Sequence, residues 1–191
     1  IAFGRHMGLP KEDLRTLAIG MLLLDIGKMR VKDEILNKNA TLTEEEFIEI
    51  KKHVDNGVEI LKATKGIPDD VIHIALTHHE RYDGSGYPSG IVGNIIPVYG
   101  RMAGIIDVYD AMTSKRPYSD AISQHAALQK IYNWRNKFFQ DELVEQFLQC
   151  LGVYPTGSLV EMNTGEVGIV LSQNRTQRLK PKIMMLLSSD K

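Results

Sequence analysis

The sequence predicts a mainly α-helical bundle over residues 1–152, with a small β appendage over residues 153–191. Two observations predict the bundle: apolar residues recur three and four positions apart through most of residues 10–151, and capping residues, prolines and glycines divide the chain at helix-sized intervals. A third predicts the appendage. Beyond Gly152 the pattern changes to short apolar runs around a tight turn.

The first helix is predicted to start at Pro10, with Leu14, Leu17, Ala18, Met21 and Leu22 on one face, and to end near Gly27, Lys28 and Arg30. Thr43 with Glu46 three residues on has the spacing of a capping box. Phe47, Ile50, Val54, Val58 and Leu61 then follow at helical spacing until Gly66. Asp69 or Asp70 is placed to cap a helix carrying Val71, Ile72, Ala75 and Leu76. From Glu80 to Ile96, glycines at 84, 86, 90 and 93 and Pro88 predict a loop. Pro97 starts a helix that runs to about Ser114, Ser123 caps another, and Asp141–Leu151 forms the last, stopped by Gly152. Ser158–Met162 and Val167–Leu171 read as strands around Asn163-Thr164-Gly165, with Lys182–Leu187 as a third. A sheet of that size is expected to pack on the helical core.

Composition narrows the function. With 43% hydrophobic and 25% charged residues among 191, the chain is globular and not disordered. A formal net charge of -1 gives no general attraction to DNA or to anionic membrane, so phosphate recognition has to be local. The single cysteine, Cys150, rules out an internal disulfide and suits a reducing, cytoplasmic setting. The apolar runs Met21–Leu24 and Ile183–Leu187 are too short to span a bilayer, and no signal peptide is visible. The chain starts at Ile1 and enters a helix at once, as expected of a fragment or a processed chain.

The chemistry lies in a few polar residues at inward positions. Asp25 follows the apolar face of the first helix, where a carboxylate has to be paired, with Lys28 for example, or bound to a cation. His78 and His79 sit where a helix ends, either as metal ligands or as histidines bonded to loop carbonyls. His53 has Gly57 one turn on; that glycine costs its helix about 1 kcal/mol relative to alanine and lets another backbone or a ligand come close. Asp107 lies in an apolar helix with Gly100, Gly104 and Ala111 near its face, whereas Asp110 is better read as bonding a neighbouring helix end. His6, His73 and His125 are isolated and are left out of the site. Imidazole and carboxylate ligands from several helices suit iron, manganese, zinc or nickel better than magnesium or calcium. Two-metal sites built this way activate water and clamp both oxygens of a phosphoryl displacement.

Three stretches, in order, resemble the HD-GYP family. Leu22-Leu23-Leu24-Asp25-Ile26-Gly27-Lys28 is similar to its apolar–His–Asp–Ile–Gly–Lys motif, and His78-His79-Glu80-Arg81-Tyr82-Asp83-Gly84-Ser85-Gly86-Tyr87-Pro88 matches its HHExxDGxGYP signature in full. Asp107-Val108-Tyr109-Asp110-Ala111 with Arg116-Pro117-Tyr118 matches the next block, and His53 stands at the family's isolated histidine. The resemblance covers about residues 10 to 150 and implies an HD-type helical bundle that hydrolyses cyclic di-GMP, or a related cyclic dinucleotide, at a centre of two or more divalent metals, often iron or manganese. It carries the metal-ligand role to Asp25, His53, His78, His79 and Asp107, with Asp25 and Lys28 in the catalytic machinery. Lys28 and Arg116 would meet substrate phosphates, and Gly86, Tyr87 and Pro88 would border the site. In some family members that loop also contacts diguanylate cyclases.

The chain departs from the family at Leu24, which replaces the motif histidine and has no lone pair to offer a metal. The family also draws ligands from a helix upstream of that motif, a segment not found in this sequence. Three functions follow: a working cyclic-dinucleotide phosphodiesterase, a degenerate module that binds nucleotide or a partner protein without cleavage, and an HD-type phosphohydrolase for another nucleotide. The GYP signature speaks against the third.

Overall fold

A computed structural model describes residues 1–115, 121–152, 156–172 and 180–187. The helices are α1 (Ala2–His6), α2 (Lys11–Leu23), α3 (Asp33–Leu36), α4 (Glu44–Lys51), α5 (His53–Ala63), α6 (Asp69–Thr77), α7 (Val98–Thr113), α8 (Gln124–Asn133) and α9 (Asp141–Leu151). Turns of 3-10 helix occupy Ile26–Arg30 and Gly93–Ile95. Strands β1 (Leu159–Glu161), β2 (Val167–Ser172) and β3 (Lys182–Leu187) form an antiparallel sheet in the order β1-β2-β3. The mainly α architecture with a three-stranded appendage is the one predicted. None of the described helices is long and apolar enough to cross a membrane.

Local rules account for most boundaries. The capping box is complete: the Glu46 backbone N–H donates to Thr43 Oγ1 at 3.2 Å, and the Thr43 N–H to Glu46 Oε2 at 2.8 Å. Ser123 Oγ accepts from the Ala126 N–H at 3.2 Å and starts α8. Gly152, at φ +83°, ends α9 in a conformation other residues rarely adopt. Pro68 occupies the N-cap of α6, so Asp69 and Asp70 lie inside its first turn, where they favour the positive helix end by charge instead of capping it. The run predicted as one helix from Thr43 to Gly66 is divided into α4 and α5 at Lys52.

The α-helical part of the first predicted helix stops at Leu23, and its buried stripe differs from the predicted one. Leu17, Gly20 and Leu24 point inward at spacings of three and four, whereas Leu22 is 83% exposed. Asp25 therefore leaves the helical phase and sits at the rim of the core, half-buried.

Two apolar clusters meet at α6. Its Ile74 belongs to the larger one, with Phe3, Leu17, Met102, Ile105, Ile131, Val144 and Phe147. Its Ile72 and Ala75 belong to a smaller one with Leu61, joined by Leu23 and Ile26. A fully buried side chain of this kind contributes about 1.5–3 kcal/mol, so α6 is held from both sides. The helix ends at the residue pair that the site needs. Just before β1, the Ser158 hydroxyl donates to Gln124 Oε1 of α8 at 3.4 Å.

Candidate metal centre

Backbone contacts bring the site together. The 3-10 turn after α2 lies directly against α5, because a Cβ on Gly27 would fall on the His53 carbonyl oxygen and the Gly57 nitrogen. Of the two facing glycines, only Gly27 is required by this contact. A Cβ on Gly57 would meet the Gly27 nitrogen at 3.4 Å, an ordinary separation. The close approach was predicted from Gly57, but Gly27 is the residue that permits it. On the other side α7 packs on the end of α6: a Cβ on Gly100 would strike Thr77 Oγ1, and one on Gly104 would lie 2.9 Å from the His78 carbonyl oxygen.

These contacts converge Asp25, His53, His78 and His79, each offering a ligand atom within 4.8 Å of the others. His53 Nε2 lies 3.3 Å and His78 Nε2 3.9 Å from Asp25 Oδ1. Each ring is set by its other nitrogen. His53 Nδ1–H donates to the Ile50 carbonyl at 2.7 Å and His78 Nδ1–H to the Ala75 carbonyl at 2.8 Å. That fixes the tautomer and leaves the Nε2 lone pair of each ring facing the cluster. His53 Nε2, His78 Nε2 and Asp25 Oδ1 are buried, and none has a hydrogen-bond partner. Burying polar atoms this way costs free energy unless something binds them, and three converging lone pairs fit a divalent cation.

The electrostatics suit the same occupant. Burial would raise the Asp25 carboxyl, but His53, Lys28 and His78 outweigh it and hold it well below the usual carboxylate range. Burial pushes His78 down to about 4, although Asp25 opposes the shift. Burial pushes His79 down to about 2, aided by repulsion from His78 and His53. Both rings are thus neutral near pH 7, the form that binds metal. Lys28 Nζ bonds Asp25 Oδ2 at 2.6 Å, so the ion pair and the inward-facing oxygen, two alternatives in the sequence, occur together.

The other predicted residues lie around this group. Tyr87 stacks on His79 with ring centroids 4.6 Å apart, Gly86 packs against the backbone of Glu80 and Arg81, and Pro88 is exposed. Asp107 is not one of the four converging residues; α7 holds it half-buried, and its charge acts on Arg81 and Tyr87. Asp110 is exposed, 3.4 Å from the Ser114 hydroxyl. Arg116 lies outside the described residues. Leu24 is buried beside Asp25.

Two residues within the long signature, given no role from sequence, turn out to support the loop. Buried Glu80 accepts from the Ser89 N–H at 2.8 Å through Oε1. Arg81 donates to the carbonyls of His78 and Glu80 at 3.2 and 3.0 Å. A cavity of about 680 Å³ opens beside the cluster, lined by Lys28, Lys38, Phe47, His53, His79 and Tyr87 among others.

Comparison with known proteins gives the family and the fold. Residues 2–142 match the family described as HD domain. A cyclic di-GMP phosphodiesterase of Pseudomonas aeruginosa is 38% identical over 189 residues, which is 99% of this chain and 45% of the relative. The cyclic di-GMP phosphodiesterase response regulator RpfG of Xanthomonas campestris pv. campestris is 40% identical over 145 residues, 75% of this chain and 38% of the relative. The chain thus spans less than half the length of either relative. Among solved structures, an HDG"Y"P protein from Bdellovibrio bacteriovorus superposes with a TM-score of 0.62 at 18% identity, covering 76% of this chain and 46% of that one, a likeness of fold.

Proposed function

This chain belongs to the HD domain family, and from that premise we propose that it is a metal-dependent phosphodiesterase domain of the HD-GYP type that opens cyclic di-GMP. The observation that carries the reading is the set of buried, unpartnered atoms His53 Nε2, His78 Nε2 and Asp25 Oδ1, turned toward one another at the edge of a nucleotide-sized cavity.

In this reading Asp25, His53, His78 and His79 hold a first-row transition cation, iron or manganese by resemblance to the family and by the mixed imidazole–carboxylate donors. A cation bound there supplies Lewis acidity to a phosphoryl oxygen and acidifies water. The chain's own groups do the rest. Lys28, held by Asp25 and lining the cavity, faces a substrate phosphate, and Tyr87 with Gly86 and Pro88 borders the substrate on the loop side. Asp107 is proposed as a further ligand from α7, and Arg116 as a second phosphate contact. The test is release of linear dinucleotide from cyclic di-GMP after anaerobic reconstitution with iron or manganese. Turnover is expected well above a His78→Ala control, and turnover equal to that control overturns the proposal.

Leu24 favours a second reading, a module that binds the nucleotide, or a diguanylate cyclase through the GYP loop, without cleaving. Leu24 is 5% exposed beside Asp25, where the family motif has a ligand. On this reading Leu24→His creates or raises turnover. Wild-type turnover equal to that of the variant would sink it.

A further inference from the structure

Phe47 shares its helical spacing with Ile50, Val54, Val58 and Leu61, yet it is 45% exposed and lines the cavity beside the metal cluster. Its ring meets Tyr87 edge-on, with centroids 6.4 Å apart and planes at 80°. Tyr87 in turn stacks on His79, and His79 lies against His78 at 4.0 Å between centroids. A continuous run of rings therefore leads from the buried ligands to the outer wall formed by α4. One turn along that helix, Lys51 Nζ sits 4.6 Å from the Phe47 centroid and 5.1 Å from that of Tyr87. Lys51 has no carboxylate partner among the described residues, whereas Lys28 is paired with Asp25 and Lys38 with Glu46.

An exposed aromatic face, a cation without a counter-ion and a cavity joined to a phosphodiester-cleaving centre make a combination that receives a nucleobase and its phosphate. Bases stack on aromatic side chains, and cations held over the rings add to the attraction. We propose that Phe47 is a substrate-specificity residue, whose ring stacks on one purine of the cyclic dinucleotide while Lys51 neutralises the adjoining phosphate. This rests on the phosphodiesterase reading above and adds to it which wall of the cavity holds the base.

The inference is tested by calorimetric titration of the manganese-loaded chain with a non-hydrolysable phosphorothioate analogue of cyclic di-GMP and, separately, with inorganic phosphate. Phe47→Ala is expected to weaken the analogue about tenfold or more, the size of one stacked base, and to leave phosphate affinity and bound manganese unchanged. Phe47→Tyr should keep the affinity, and Phe47→Leu should lose it, because an apolar side chain fills space without stacking. Equal weakening of analogue and phosphate, retention by Phe47→Leu, or no change in Phe47→Ala overturns the role of Phe47 and leaves the wider proposal standing. Failure of the unaltered chain to bind the analogue overturns both.

Discussion

At the His53–His78 end of the bundle three buried polar atoms are aimed at one another, whereas in the C-terminal sheet most apolar side chains look outward. Val170 is buried there, but Leu159, Leu171, Met184, Met185 and Leu186 are 43–67% exposed. Both regions nevertheless depend on a glycine at a close approach. Gly27 lies on the backbone of α5, and Gly168 faces Ile183 and the Met184 carbonyl oxygen on β3. The difference teaches what close approach is for. In the sheet it lets two strands pair; in the bundle it brings the Asp25 carboxylate to an imidazole on another element.

The sharpest test of that contrast is Gly27→Ala. The added methyl meets backbone, which cannot yield as a side-chain tip can, so stability should fall by about 3 kcal/mol and manganese affinity by about 100-fold. Urea unfolding and metal titration measure the two. Near-wild-type metal affinity would mean that the turn and α5 do not set the ligand geometry. Gly168→Ala is expected to cost about 1–3 kcal/mol, visible as faster amide exchange in β2 and β3, with manganese affinity unchanged. A loss of metal binding in that variant would erase the distinction between the two regions. Gly57→Ala should have the smallest effect and the opposite sign. Its methyl meets only an ordinary contact, so the helix should gain about 0.5–1 kcal/mol with metal binding kept. Destabilisation by this variant would place the tight contact on α5 and not on the turn.

Much of the fold was legible because local chemistry sets it. The Thr43–Glu46 box, the Ser123 cap and the stop at Gly152 are each decided within a few residues. What sequence could not give were features decided by tertiary contact. Leu22 shares a helical period with Met21 but faces solvent, because the buried stripe runs through Leu17, Gly20 and Leu24. Phe47 fitted an apolar periodicity and lines a cavity instead; the signal to the contrary was Lys51 at i+4, which becomes informative only once Tyr87 is near both. In the site, Asp25, His53, His78 and His79 could be proposed from residue type and motif order. Asp107 came from the same motif order, and the four-residue cluster does not include it; it is half-buried on α7, and its charge acts on Arg81 and Tyr87. Arg116 and the rest of its motif lie outside the described residues.

The imidazoles of His53 and His78 are each tethered to the carbonyl three residues earlier in their own chain segment. Such a tether forms as soon as the surrounding helical turn forms, whatever the other helices are doing. Each half of the centre is therefore oriented locally, and docking only brings finished halves face to face. An arriving ion finds both rings already turned toward it, so little rotational freedom remains to be lost at capture and the binding energy is spared that penalty.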